Sequence, residues 1–384
     1  MNSDTETNIK PDINAFRKMT VAHPLLNTAI EELLAAIDEA EQGEIIYLFG
    51  PTGVGKTTLG SKVREKLDKV FRAEMGNHPS IVPVILNEAP HPDAPKFSWI
   101  EYYRRALTNL NEPLINKKIA DRRCSVYADE CVIGNHIVAD NTIGKPSVGH
   151  ALRMSFENAL EYRKTRVLLV DEAHHIAKGC SANSIKGQLD YLKSLANLTK
   201  TIIVLIGTYE LLAFIDLSGQ LSRRGNDIHF PRYHFETTED RQLFYNIVES
   251  FLSKLPIPHN LDLPALNEML YIKSAGCIGI LSSWIKKSLK LAIRQQDPIL
   301  TQFHIEKKAL SLRKLMKISE ELEDGEALLK PDRRAEEIIR ARLGILSQEK
   351  QEIESEPVKS VSSPTRRRRV GQRRPGRDKV GINS

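Results

Sequence analysis

Apolar and polar positions along the chain alternate between short apolar runs and longer amphipathic stretches. Ile45-Ile46-Tyr47-Leu48-Phe49, Val167-Leu168-Leu169-Val170 and Thr201-Ile202-Ile203-Val204-Leu205-Ile206 are continuous runs of strand length. Such runs belong to strands covered on both faces, as in a parallel sheet. Ile81-Val82-Pro83-Val84-Ile85-Leu86 reads as a further strand, and Pro83 argues for an edge position because it cannot donate to the ladder. A last core strand is expected at about 227–232. Helical patterns fall between the strands, at about 26–40 after His23-Pro24, from the turn following Phe49 to about 71, and at about 98–110, 151–164 and 184–198. Pro90, Pro92 and Pro95 mark a loop.

Alternating strands and helices predict an α/β core over 21–235. Thr237-Thr238-Glu239-Asp240 has the residues of a helix start, and four helical stretches follow to about Leu312, a smaller helical lid over 236–312. Residues 313–356 read as a charged helical extension with an acidic run, Glu320-Glu321-Leu322-Glu323-Asp324. From 357 the chain turns to Pro, Ser, Arg and Gly, the composition of disorder. Residues 1–20 are polar and expected to be loosely ordered, and 112–150 to form a loop-rich insertion with short helices.

Residues 50–57 change the picture from fold to chemistry. Gly50-Pro51-Thr52-Gly53-Val54-Gly55-Lys56-Thr57, followed by Thr58, fits the phosphate-loop pattern and sits between a strand and a helix, the context that pattern needs. Its glycines let backbone N–H groups close around phosphate oxygens at a helix N-terminus. Lys56 is the residue to reach the β- and γ-phosphates of ATP, and Thr57 a ligand for Mg2+. Asp171 and Glu172 end the 167–170 run, where open α/β sheets place ligands. Asp171 is placed to hold Mg2+ through water, and Glu172 to orient and polarise the attacking water. Thr208, at the end of the next strand, either senses the γ-phosphate or that water, or simply caps the following helix. Arg223 and Arg224 precede the last core strand, where ring and filament ATPases keep an arginine finger that acts on the neighbouring subunit; either arginine fits, and surface ion pairing is the plain alternative.

Asp171-Glu172-Ala173-His174 also spells a helicase DEAH box, but no second helicase core or arginine-rich motif follows. His174 and His175 are adjacent and so poorly placed for joint metal binding; a supporting or interface position suits them better. Four cysteines without C-x-x-C spacing read as free thiols of a reducing compartment, and Cys124, Cys131 and His136 lack the spacing of a usual zinc site. The first residues carry no basic-then-apolar signal and no run approaches a membrane span, so the expectation is a cytoplasmic protein, in a bacterial cell associated with the nucleoid, with no membrane partner. The net charge of +6 is uneven. From Pro357 onward nine basic residues face Asp378 alone, so the preceding chain is slightly acidic.

With these motifs in place, the chain resembles AAA+ ATPases and, more narrowly, the transposition regulators of the TniB/TnsC family, as in Tn7-like and CRISPR-associated transposons. The resemblance covers roughly residues 15–300. It rests on His23-Pro24, Gly50–Thr57, Val170–His175, Gly207-Thr208 and Ser274-Ala275-Gly276-Cys277-Ile278-Gly279-Ile280-Leu281. It implies an ATPase that assembles as a ring or helical homo-oligomer on duplex DNA, marks a target site with a target-selection protein, and recruits or activates the transposase, with hydrolysis driving disassembly. Lys56, Thr57, Asp171, Glu172 and Thr208 carry over. One departure stands out: Gly279-Ile280-Leu281-Ser282-Ser283-Trp284 has no arginine where many AAA+ lids place one, and Lys286 and Lys287 come late, so lid sensing of ATP is in doubt and turnover is expected to be slow. DNA contacts are assigned to Lys117, Lys118, Arg122 and Arg123, with Lys145 as a further candidate, against the plain reading of a solvated basic face. The arginine-rich tail would bind nucleic acid or an acidic partner by salt-dependent phosphate-type contacts. The competing functions are another AAA+ machine, replication-initiator-like or secretion-associated, and a nucleotide-gated scaffold with negligible hydrolysis.

Overall fold

The computed structural model describes residues 13–76, 78–92, 96–113, 115, 132–133, 136–137, 148–216, 227–330 and 333–345. It divides into two compact units, Met1–Leu328 and Leu329–Ser384. In the second, helix Arg333–Arg342 is the one described element.

The first unit opens with α1 (Ile13–Lys18) and α2 (Pro24–Glu39), then β1 (Ile45–Phe49), α3 (Lys56–Met75), β2 (Val84–Glu88) and α4 (Trp99–Asn109). A two-residue hairpin, β3 (Val132–Ile133) and β4 (His136–Ile137), is what the described part of the expected loop-rich insertion contains. There follow α5 (Val148–Tyr162), β5 (Val167–Asp171), α6 (Ala182–Thr199), β6 (Ile202–Gly207), α7 (Leu212–Asp216) and β7 (Asp227–His229). The helical portion is α8 (Thr238–Leu252), α9 (Leu263–Ser274), α10 (Ile278–Gln295), α11 (Gln302–Lys308) and α12 (Leu312–Leu329).

The sheet is parallel throughout, in the order β2-β5-β6-β1-β7. β1, β5 and β6 are buried along their whole length, as continuous apolar runs require. Side chains alternate between faces along a strand. Ile46, Leu48, Val167, Leu169, Val204 and Ile206 join α2 and α3 in one apolar cluster on the first face. Pro83 shifts the expected edge strand. Val82 donates instead to Arg163 O (2.9 Å), and Arg166 and Val167 both donate to the Pro83 carbonyl, so the ladder starts only at Val84, at the sheet's edge. β7 is likewise shorter than the 227–232 expected, since Pro231 has no N–H with which to extend it.

The helical portion has its own apolar cluster, built on Phe244, Phe251, Leu281, Trp284, Leu289 and Ile305. Phe16 and Val21 belong to it. Residues 13–20 are therefore not the loose segment expected from polarity: Phe16 is only 4% exposed, and one large apolar side chain is enough to fix a short helix against a preformed groove. Phe16→Ala is expected to lower the unfolding free energy by about 3 kcal/mol, within the usual range for emptying a buried phenylalanine site. Urea denaturation checks this, and a change below about 0.5 kcal/mol would mean that α1 is not held by its phenylalanine.

Candidate nucleotide-binding site

β1 delivers the chain into the glycine-rich turn at the C-terminal end of the sheet. Gly53 and Gly55 have φ of 79° and 122°, backbone that residues with a Cβ rarely adopt, so the turn can curl its N–H groups inward. α3 starts at Lys56 without a side-chain cap, leaving its first N–H groups for an anion. Lys56 is buried at 6% exposure, and its ammonium donates to Gly50 O (2.9 Å) and Pro51 O (2.8 Å). Burial pulls its pKa down, while the charges of Glu172 and Asp171 pull the other way.

Asp171 ends β5, buried, and its Oδ1 accepts from the Glu172 N–H at 2.9 Å. Glu172 itself is left-handed, with φ 53° and ψ 32°, a strained conformation for a residue with a side chain. Its carboxyl pKa is raised, first by burial and then by the Asp171 charge, with Lys56 opposing. A carboxylate held above its usual pKa is a better proton acceptor. Thr208 follows β6, and its buried hydroxyl has no hydrogen-bond partner. It does not cap the 3-10 turn that follows, so the capping alternative fails.

A cavity of about 410 Å3 opens at this turn. Gly53, Val54, Gly55, Lys56, Thr57, Thr58 and Glu172 line it, together with the apolar Val21, Leu26, Phe251 and Ile278. A wall that carries both charged and apolar groups suits the two halves of a nucleotide. Gly50 and Pro51 contribute carbonyls to Lys56, and Asp171 and Thr208 stand at neighbouring strand ends outside the cavity wall. For Mg2+, Thr57 on the wall and the Asp171 carboxylate at the adjoining strand end are the oxygen donors that fit. The unpartnered Thr208 hydroxyl and the inward-curled glycine turn fit a phosphate beside it.

The lid meets the phosphate loop directly. Ile280 N–H donates to Gly53 O at 3.1 Å, an approach open only because Gly279 has no Cβ; one built there would collide with that same carbonyl. From this anchor α10 turns Gly279, Ser282, Ser283 and Lys286 toward the cavity, a spacing of one helix face. Lys286 donates to Met19 O at 2.8 Å, and burial lowers its pKa. Of the two late lysines, Lys286, two turns into the helix, lines the cavity, while Lys287 is exposed. Spacing from Gly279 was the signal that could have found Lys286.

Two further contacts reach the site from far along the chain. His23 caps α2, and its Nδ1 accepts from Leu26 N–H (3.4 Å) and the Tyr233 hydroxyl (3.0 Å). Thr52 donates to Glu321 Oε1 (2.7 Å), so the acidic run of α12 touches the phosphate loop. The same helix holds Arg232 through Glu326 at 2.7 and 3.0 Å and lays Gly325 on the Tyr209 ring. Arg223 and Arg224, the DNA candidates Lys117, Lys118, Arg122, Arg123 and Lys145, Cys124 and Cys131, and the arginine-rich tail all lie outside the described residues.

Lys286→Ala removes the lid cation and should weaken binding of an ATP analogue about tenfold or more, the size of a lost charged hydrogen bond, while Lys287→Ala leaves it near wild type. Titration calorimetry checks this, and equal effects of the two would remove Lys286 from the site. His23 has its pKa lowered to about 4, first by burial and then by the Lys62 charge. Between pH 6.5 and about 4 the unfolded chain then takes up a proton that the folded chain refuses. Stability from this group is therefore present above pH 6.5 and is lost as pH falls toward 4, by up to about 3 kcal/mol. His23→Asn keeps a capping side chain and should flatten the urea-midpoint profile across that window. A part of the slope should remain, from buried His174, whose pKa is lowered to about 3 by burial and then by His175.

Residues 35–215, just under half of the chain, match the family model described as "AAA domain". No curated protein matches the sequence. Among solved structures, the Aeropyrum pernix ORC2 protein in ADPNP-ADP complexes is similar at 12% identity and a TM-score of 0.46, over 78% of this chain and 73% of that one. Drosophila ORC bound to DNA gives 14% and 0.43, over 90% and 87%. AMPPCP-bound DnaA from Aquifex aeolicus gives 14% and 0.37, over 76% and 67%. Among the described residues no helix is long and apolar enough to cross a membrane. The fold is the one expected, an α/β domain on a parallel five-stranded sheet followed by a helical portion, and the AAA domain model matches the α/β part over 35–215.

Proposed function

We propose that the protein is an ATP-hydrolysing regulator of DNA transposition, which assembles on duplex DNA, marks the target and recruits or activates the transposase. The ATP part rests on one observation: the phosphate loop, Glu172 and Lys286 line one cavity together with the apolar Val21, Leu26, Phe251 and Ile278. The transposition part rests on the resemblance carried by His23-Pro24, the phosphate loop, Val170–His175 and the lid segment through Leu281.

The residues divide the work as follows. Lys56 exchanges its two carbonyl partners for the β- and γ-phosphates, which compensate its charge better. Thr57 and Asp171 would hold Mg2+, which when bound neutralises phosphate charge. Glu172 accepts a proton from the attacking water, and the Thr208 hydroxyl, without a protein partner, orients the water or the γ-phosphate. Lys286 reports the nucleotide to the lid and, through Met19, to the segment before α2. Arg223 or Arg224 of a neighbouring subunit completes the site in trans, and the basic candidates Lys117, Lys118, Arg122, Arg123 and Lys145, together with the tail, contact DNA.

Glu172→Gln separates binding from turnover. The amide keeps the shape but cannot accept the proton, so nucleotide affinity should stay near wild type while hydrolysis falls by about 100-fold or more. Assemblies on duplex DNA should then persist with ATP, visible by negative-stain microscopy, and capture the transposase. Wild-type turnover in this variant would remove Glu172 from its role. Stable DNA assemblies that ignore the transposase would favour a replication-initiator-like machine instead.

A further inference from the structure

The turn after β5 sets beside Glu172 two imidazoles that nucleotide chemistry does not use. His174 is buried, and its Nδ1 has no hydrogen-bond partner; Glu172 Oε2 lies 3.3 Å away without the alignment of a hydrogen bond. An unpartnered buried nitrogen is costly to keep and calls for an explanation. His175 Nδ1 lies 2.9 Å from Ala89 O. A carbonyl only accepts, so Nδ1 carries the proton and the ring's lone pair is on Nε2. A backbone carbonyl on the far nitrogen is how metal-binding imidazoles are held in orientation. One donor atom each from Glu172, His174 and His175 lies within 4.8 Å of the others.

His91, from the loop after β2, stands edge-on to His175 with ring centroids 5.1 Å apart. Its Nδ1 is 3.0 Å from Pro92 O, which leaves its lone pair on Nε2 in the same way. Adjacency alone made His174 and His175 look unfit to share a ligand. The 3-10 turn at Ala173–Ile176, entered through left-handed Glu172, instead brings their rings to 4.4 Å.

We propose that Glu172, His174 and His175 form a site for a zinc-like divalent cation, separate from the Thr57–Asp171 Mg2+ position. Two imidazole nitrogens and a carboxylate are a zinc donor set, and soft-to-borderline metals outcompete Mg2+ for nitrogen. Bonds of about 2.0–2.2 Å put tetrahedral donors about 3.4 Å apart, so closure asks each group to move by about 1 Å. Occupation ties up the Glu172 carboxylate, and so arrests hydrolysis; this consequence rests on the proposed role of Glu172 as proton acceptor.

The test uses the full chain without nucleotide, titrated with Zn2+ against a chromophoric chelator. Wild type should bind about one equivalent, His175→Gln and Glu172→Gln should each bind at least about tenfold more weakly, and the exposed-histidine control His78→Gln should match wild type. No zinc binding, or binding undiminished in His175→Gln, overturns the site. In the hydrolysis assay with excess Mg2+, Zn2+ should suppress wild type but not His175→Gln, which keeps its activity in the absence of zinc. Zinc binding that is lost in His175→Gln yet leaves hydrolysis untouched keeps the site and refutes the role given to Glu172.

Discussion

A buried ammonium organises this molecule. Lys56 is nearly inaccessible, and a charge in that position is tolerated only with close partners. Its partners are two carbonyls of its own loop, with the fields of Asp171 and Glu172 behind them. The carbonyls follow β1 and the two acids lie at the end of β5, and the order β5-β6-β1 brings those ends together with one strand between them. The middle strand is followed by Thr208, whose unpartnered hydroxyl joins the same edge. The parallel sheet is thus the frame that lets one cation, two anions and a hydroxyl converge without any of them crossing the core.

The lid and the N-terminal segment are tied to that frame by few but specific contacts. Ile280 N–H on the Gly53 carbonyl fixes where α10 begins, and the helix period then fixes where Lys286 points. Lys286 in turn holds Met19, while Phe16 and Val21 sink into the lid's own core. His23 joins α2 to Tyr233, just after the last core strand. A ligand that draws Lys286 away from Met19 therefore acts on two elements at once, through contacts already in place.

The sequence made most of the core readable, because the evidence there is local. A continuous apolar run followed by a glycine turn fixes β1 and α3; another followed by two acids fixes β5. Edge placement of β2 followed from Pro83, although the same proline moved the strand's start to Val84. What stayed hidden depended on residues far apart in the chain. Thr52 and Glu321 are separated by 269 positions, and His23 and Tyr233 by 210. Lys286 looked too late in the lid because its reach depends on where α10 docks, which no local pattern encodes. Residues 13–20 looked loose because polarity counts every residue equally, whereas packing needed only Phe16 and Val21.

Glu172 shows how closely local strain and chemistry are joined here. Left-handed backbone at a non-glycine residue costs roughly 1–2 kcal/mol. The chain recovers part of this through the Asp171 carboxylate on the Glu172 N–H and the Glu172 carbonyl on His175 N–H at 2.9 Å. An extended residue at this position would carry the chain on past the sheet's edge and away from Lys56. The left-handed one folds it straight into the 3-10 turn, keeping the carboxylate in the cavity wall and bringing His174 beside it. Glycine would relieve the strain but supply no carboxylate. The strained glutamate is therefore the residue type this turn requires, and the histidines that follow it owe their shared position to the same backbone twist.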